Sequence, residues 1–171
     1  MTFVERMLGA AKLDPRVYEE IETDRTATPQ ALAVVVLASV AGGVGMGAGV
    51  RGLVFGTVAG LVGWAIWAWL IYFIGTRWLP EPDTRADMGE LLRTIGFATS
   101  PGILRVAGLV PVLGPVIFVV AAVWTLVAVV VAVRSALDYR STGRAIGVCL
   151  VGWLVQLVIL ALVGVFARPV S

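Results

Sequence analysis

The 171-residue sequence contains no histidine and a single cysteine, Cys149, which sits inside an apolar run. No histidine means no His-dependent catalytic triad and no imidazole ligand set. One thiol forms neither a disulfide within the chain nor a thiolate metal cage. Charge is also scarce: 14% of residues are charged, against roughly a quarter in soluble domains. No acid, histidine or nucleophile pair falls within the long apolar runs, so chemistry at membrane depth has no candidate residues. Fixed-period repeats and low-complexity tails are missing too.

What fills the sequence instead is apolar. Hydrophobic residues make up 59% of it and the mean hydropathy is +0.96. A water-soluble fold of this length cannot hide that much apolar surface, so lipid must cover it. The net charge of +2 does not point to nucleic acid, because the basic residues stand singly at segment ends with no aromatic interleaving. No cleavable signal peptide is expected: residues 1–30 hold six acids and no apolar core, and the first apolar segment can serve as its own insertion signal.

Residues 1–12 place Phe3, Val4, Met7, Leu8 and Ala11 on one helical face, with Glu5, Arg6 and Lys12 opposite. Such a helix is too short to span and is expected in the interface plane. Asp14-Pro15 reads as an N-cap and first-turn proline, opening a helix with Val17, Tyr18 and Ile21 on one face. Thr28-Pro29 repeats that start signal. Apolar spans are expected at about 31–49, 53–74, 94–110, 115–133 and 145–167, with Arg51 marking a tight turn. Trp67, Trp69, Tyr72 and Trp78 form an aromatic cluster at the end of the second. Between the second and third, Pro80 and Pro82 break helix and Asp83 is the expected cap of the helix that follows.

The third segment, TSPGILRVAGLVPVLGPVIF, carries three prolines and Arg105. Charge counting weighs whether it crosses, and both answers obey the rule for basic loops. If it does, with the N-terminus inside, ten Lys and Arg residues lie inside against two or three outside, where Arg51, Arg168 and the outer end of the third span lie; if it does not, the division is nine against four. Short basic loops stay cytoplasmic, which favours five crossings. A central charge costs about 2.5–3.5 kcal/mol on insertion scales, less near a span end where the side chain snorkels to water. Pro101 and Pro111 leave the carbonyls of Phe97 and Ala107 without helical donors, and Thr99, Ser100 and Arg105 are close enough to supply some. A kinked, partly polar span inside the bundle is expected, with a lip of interfacial helix as the alternative.

Gly52, Gly56 and Gly60 line one face of the second span, and Gly43/Gly47 and Gly45/Gly49 form pairs in the first. Small residues four apart let helices approach closely. Packing of the first span on the second is the plain reading, a homodimer through this face the sharper one, and a glycine-lined pore the third. Asp83, Asp87 and Glu90 share a helical face, but flanking Arg85 and Arg93 favour a solvated face over a cation site. Asp138 can pair with Arg134 if the helix continues, or dock a partner. Gln156, deep in the last span, is expected as interhelical glue, and Cys149 as a small packing residue.

The segments LDPRVYEEIETDRTATPQAL, GELLRTIGFATSPGILRVAGLVPVLGP and VRSALDYRSTGRAIGVCLVGW resemble the prokaryotic branch of the Yip (Ypt-interacting protein) family over nearly the whole chain. Gly96, Phe97 and Pro101 resemble the glycine–aromatic…proline element around that family's third span. The resemblance implies five spans with a cytoplasmic N-terminus and no enzymatic activity. For eukaryotic members it implies binding of small Rab-type GTPases and a part in vesicle trafficking or membrane shaping. Their longer acidic N-terminal region, with its Asp-Leu-Tyr-Gly-Pro type motif, is absent from this sequence. The expectation is an all-α integral membrane protein, a five-transmembrane-helix bundle (28–171) behind interfacial amphipathic helices (1–27). It needs no cofactor, and a membrane or cytosolic protein is its expected partner. The competing expectation is a small transporter component or accessory subunit of a larger membrane complex.

Overall fold

The computed structural model describes residues 1–166, with side chains through residue 158. The described residues are helical or turn, without strands: α1 Phe3–Ala11, α2 Pro15–Thr23, α3 Ala27–Gly45, α4 Val50–Phe73, α5 Met88–Ala98, α6 Gly114–Ala136 and α7 Thr142–Phe166. A π-helical turn, Ile74–Trp78, prolongs α4, and a 3₁₀ segment, Ser100–Leu109, prolongs α5. Among the residues whose side chains are described, three helices are long and apolar enough to cross a membrane: Ala27–Gly45, Val50–Trp78 and Gly114–Ala136. Arg168, counted above on the outer side, lies outside the described residues, as does the end of the last expected span.

Contacts along the helices define two ends of the bundle. At one, α3, α5 and α7 begin while α4 and α6 finish; here Gly75 lies against Leu137 and Ser135 meets Glu22. At the other, Gly43 packs on Leu53 across the short α3–α4 turn, and Gly108 packs on Phe118. Two glycines are dictated by close approach. A Cβ on Gly96 would sit 2.8 Å from the Ala31 Cβ, where α5 crosses α3, and one on Gly45 only 1.8 Å from the Arg105 carbonyl oxygen. Gly47 turns the chain at φ +68°, the left-handed region that suits glycine.

The core lies toward the first end. Tyr18, Ile21, Leu91, Ile95, Phe97, Val133 and Leu137 are all buried there, and Phe3 meets Phe97 edge-on at a centroid distance of 6.3 Å. Toward the other end the helices expose apolar side chains: Val54, Phe55 and Val58 on α4, Val116 and Val119 on α6. A long exposed apolar girdle over a small, well-packed core is what a lipid solvent permits.

Several local expectations are corrected by the geometry. Arg6 is not on a solvent face: it is 3% exposed, while Val4 and Leu8 point outward, because Glu20, Asp24 and Gln30 converge on its guanidinium. The helix after the proline loop is capped by Asp87, not Asp83. The Asp87 carboxylate accepts from the Glu90 amide at 3.0 Å and the Glu90 carboxylate from the Asp87 amide at 2.8 Å, a reciprocal box. A matching box joins Thr2 and Glu5 at the start of α1. Thr28 caps nothing, since α3 begins at Ala27. The 94–110 segment is an α-helix only to Ala98 and 3₁₀ beyond it. Pro101 withholds the amide that would bond Phe97, and the Ser100 hydroxyl donates to that carbonyl at 2.6 Å instead.

Candidate functional site

The end of the bundle where residues 1–30, 75–93 and 134–144 meet holds nearly all the polar contacts. Arg6 Nη2 donates to Glu20 at 2.6 Å and to Asp24, and Nη1 donates to Gln30 at 3.0 Å. One guanidinium thus joins α1, α2 and the start of α3. The Thr26 hydroxyl, with Arg6 behind it, holds the Asp24 carboxyl down to about 2.

Arg93, 5% exposed, does the same for α2 from the other side. Its Nε donates to the Ile21 carbonyl at 3.2 Å and its Nη2 to that of Glu22. These are carbonyls of the last turn of α2, which have no helical donor, and a cation there also complements the helix dipole. The other flank of α2 reaches α6, where Ser135 Oγ donates to Glu22 at 3.3 Å. Further along, Trp124 Nε1 donates to the Ala11 carbonyl at 2.7 Å, halfway down α6. The α1–α2 hairpin therefore lies along α5 and α6.

A cleft of about 530 Å³ opens beside this hairpin, with Pro15, Glu19 and Glu22 on one wall and Val131, Arg134, Ser135 and Asp138 on the other. Burial pushes the Glu22 carboxyl up to about 7, the nearby Asp138 charge adds to the shift, and the Ser135 hydrogen bond opposes it. The folded chain therefore holds this proton more tightly than the unfolded chain, whose carboxyl sits near 4.5. The contribution of Glu22 to stability is fully present below pH 4.5, is lost as pH rises through the window up to about 7, and is level above it. We expect a loss of about 2 kcal/mol between pH 4.5 and 8, discounted for partial solvent screening. Thermal midpoints in detergent should show it, and Glu22→Gln should flatten the profile.

A second set of contacts fastens the 79–84 loop to the 138–144 turn. The Tyr139 hydroxyl lies 2.6 Å from the Leu79 carbonyl and 3.0 Å from that of Gly75. Arg144 Nη1 donates to the Pro80 carbonyl at 2.7 Å, Glu81 accepts the Arg140 amide at 3.0 Å, and Arg140 pairs with Asp83 at 2.5 Å. The tyrosine is buried and anchors the turn, whereas the exposed Arg140–Asp83 pair adds little.

The residues singled out from sequence fall in different places. Gly60 faces Ser39 Oγ, 2.3 Å from where its Cβ would be, so it serves α3–α4 packing; Gly56 faces open space, and Gly52 is exposed and approaches only Ala48. Gly96 and Phe97 lie in the core, and Pro101 is buried at the start of the 3₁₀ segment. Asp138 does not pair with Arg134: α6 ends at Ala136, Asp138 adopts φ +53°, and Arg134 Nε donates to the Tyr139 carbonyl at 3.3 Å. Arg105 and Gln156 come together on the wall of a cavity of about 640 Å³ between the helices. Cys149 is buried. Among the described residues, no group of three His, Cys, Asp or Glu side chains could hold a metal ion.

Missed from sequence were Arg6, Arg93, Glu22 and Tyr139. The Thr2–Glu5 and Asp87–Glu90 boxes carry a readable local signal, a cap residue with Glu three positions on. The two arginines carry none, because their partners are 14 to 72 residues away.

Apolar spanning helices, a lipid-facing girdle and polar contacts gathered at one end define an integral membrane protein. The Yip1 domain model matches residues 13–163, and the chain belongs to that family. No curated protein and no solved structure matches it significantly.

Proposed function

We propose that the protein is a non-enzymatic membrane scaffold that crosses the bilayer five times, with its N-terminus cytoplasmic and its C-terminus opposite, and recruits a partner at the polar end of the bundle. The observation that carries this is the gathering of the α1–α2 hairpin, the 79–87 loop and the 138–144 turn into one fastened surface. Arg77 and Arg85 stand exposed on it with no hydrogen-bond or ion-pair partner among the described residues. Arg51 is at the far end, so the basic excess on the proposed cytoplasmic side agrees with the rule for short loops. From Thr94 onward, α5 and its 3₁₀ extension cover about 28 Å at the usual rises, close to a hydrocarbon core of about 30 Å. α7 has 25 helical residues, enough for the fifth crossing.

Deleting residues 1–27 is a poor test, because Tyr18 and Ile21 belong to the core. Arg77→Ala combined with Arg85→Ala removes only exposed charge. Crosslinking in native membranes should recover a partner with the wild-type chain and lose it with this variant, at unchanged accumulation. Equal recovery would count against the reading. Single cysteines near residues 47, 83, 112 and 140 should label from alternating sides, outside for 47 and 112.

The cavity between the helices favours a transport component or accessory subunit as the second reading. Solute flux in liposomes holding only this protein would establish transport, and fixed-stoichiometry copurification with larger subunits would establish the accessory role. The outward face of Gly52 and Gly56 is where a homodimer would form.

A further inference from the structure

We propose that the cavity between the helices is a binding site for a phosphate-bearing membrane lipid, with the headgroup phosphate on Arg105 and an acyl chain along the tryptophan-lined floor. The cavity of about 640 Å³ is in the range of sites that hold a small ligand. Ser39, Thr99, Arg105, Thr125 and Gln156 are the hydroxyl, amide and charged side chains of its lining, which contains no acidic residue. The remainder is apolar, with Trp64, Trp67 and Trp153 as its largest side chains.

Arg105 has no hydrogen-bond or ion-pair partner among the described residues, although a guanidinium carries five donors. At membrane depth an arginine without a counter-charge is disfavoured, and such residues ordinarily pair. Independently, Thr125 Oγ1 is fully buried and makes no hydrogen bond. The two lie in the same corner: a Cβ on Gly102 would be 3.8 Å from Thr125 Oγ1 and 3.9 Å from an Arg105 terminal nitrogen. The arginine stem passes 3.7 Å from the Cβ position of Gly42, which directs the head into the cavity. A phosphate bridging this corner would satisfy both, in the planar recognition that guanidinium favours.

The route in is lateral. Val123 on α6 and Trp153 on α7 line the cavity and are 56% and 45% exposed, so it reaches the bundle surface between these helices, where lipid is the solvent. Charge complementarity and that opening select a lipid over a soluble anion. The inference rests on residues 94–110 crossing the bilayer, and failure of that reading would appear in cysteine labelling, independently of lipid retention.

Native mass spectrometry of the purified full chain tests it, using phosphatidylglycerol and diacylglycerol with the same acyl chains. One phosphatidylglycerol should stay bound per chain, with diacylglycerol retained roughly tenfold less. Arg105→Gln should bring phosphatidylglycerol down to the diacylglycerol level. Gly63 lines the cavity with nothing within 4 Å of its Cβ position, so Gly63→Leu should extend a side chain into the space and exclude the lipid. That second variant decides the matter should the first fail to fold. Equal retention of the two lipids, wild-type retention by Gly63→Leu, or displacement of phosphatidylglycerol by inorganic phosphate alone would overturn the proposal.

Discussion

Gly45→Ala is expected to cost about 3 kcal/mol or more and to lower the thermal midpoint in detergent by roughly 10 °C. The new methyl group would lie 1.8 Å from the Arg105 carbonyl oxygen and 2.9 Å from its carbonyl carbon, with the Phe118 ring edge at 3.3 Å. The first two atoms are backbone and cannot swing aside. The end of α3 and the 3₁₀ segment would have to separate, and with them the contact of Gly108 on Phe118. Gly56→Ala makes the control, because nothing lies near that Cβ position. It should be neutral, or stabilising by up to about 1 kcal/mol through helix propensity. Equal effects from the two substitutions would mean that the packing of the 3₁₀ segment on α3 is not as described.

Arg93→Met should release the C-terminal turn of α2. The substitution keeps an unbranched apolar stem in the core but leaves the Ile21 and Glu22 carbonyls without donors. Leaving such groups unsatisfied costs about 1–3 kcal/mol each. We expect a net loss of about 3 kcal/mol in docking of the helix, a rise of roughly 100-fold in hydrogen exchange of the α2 amides. Amides in the middle of α4 should be unaffected, since α4 does not depend on this arginine. Arg93→Lys restores the charge but not the two-pronged fit, so it should recover only part of the protection. Unchanged exchange in the methionine variant would show that apolar contacts of Tyr18 and Ile21 hold α2 unaided.

These predictions turn on features of unequal visibility in the sequence. Long apolar runs announce their helices because lipid imposes length and composition directly, and α3, α4 and α6 are found where those runs are. Asp14-Pro15 does start α2, and Val17, Tyr18 and Ile21 are its buried side, since cap and periodicity are both local signals. The family was also legible, in segments that the Yip1 match spans. An amphipathic pattern sets Arg6 opposite the apolar face of α1, where a charge is ordinarily solvated; only the convergence of Glu20, Asp24 and Gln30 reverses that. The glycine spacing of α4 gave no means of telling Gly60, set against Ser39, from Gly56, set against nothing. That distinction belongs to the rotation of one helix against another. The cavity was half visible, for Arg105 and Gln156 each stood out, but sequence offered no way to join positions 51 apart.

The contacts that hold α1 and α2 have a consequence for how the chain is made. Arg93 follows Ile21 by 72 residues, and Trp124 follows Ala11 by 113. At synthesis speeds of about 5–20 residues per second, α2 waits roughly 4–14 s for the arginine and α1 about 6–23 s for the tryptophan. Throughout that interval the side of α2 that faces α5 and α6 has no protein to cover it. The nascent hairpin must spend those seconds against the bilayer surface or in the care of a chaperone, and its docking is among the last steps of assembly.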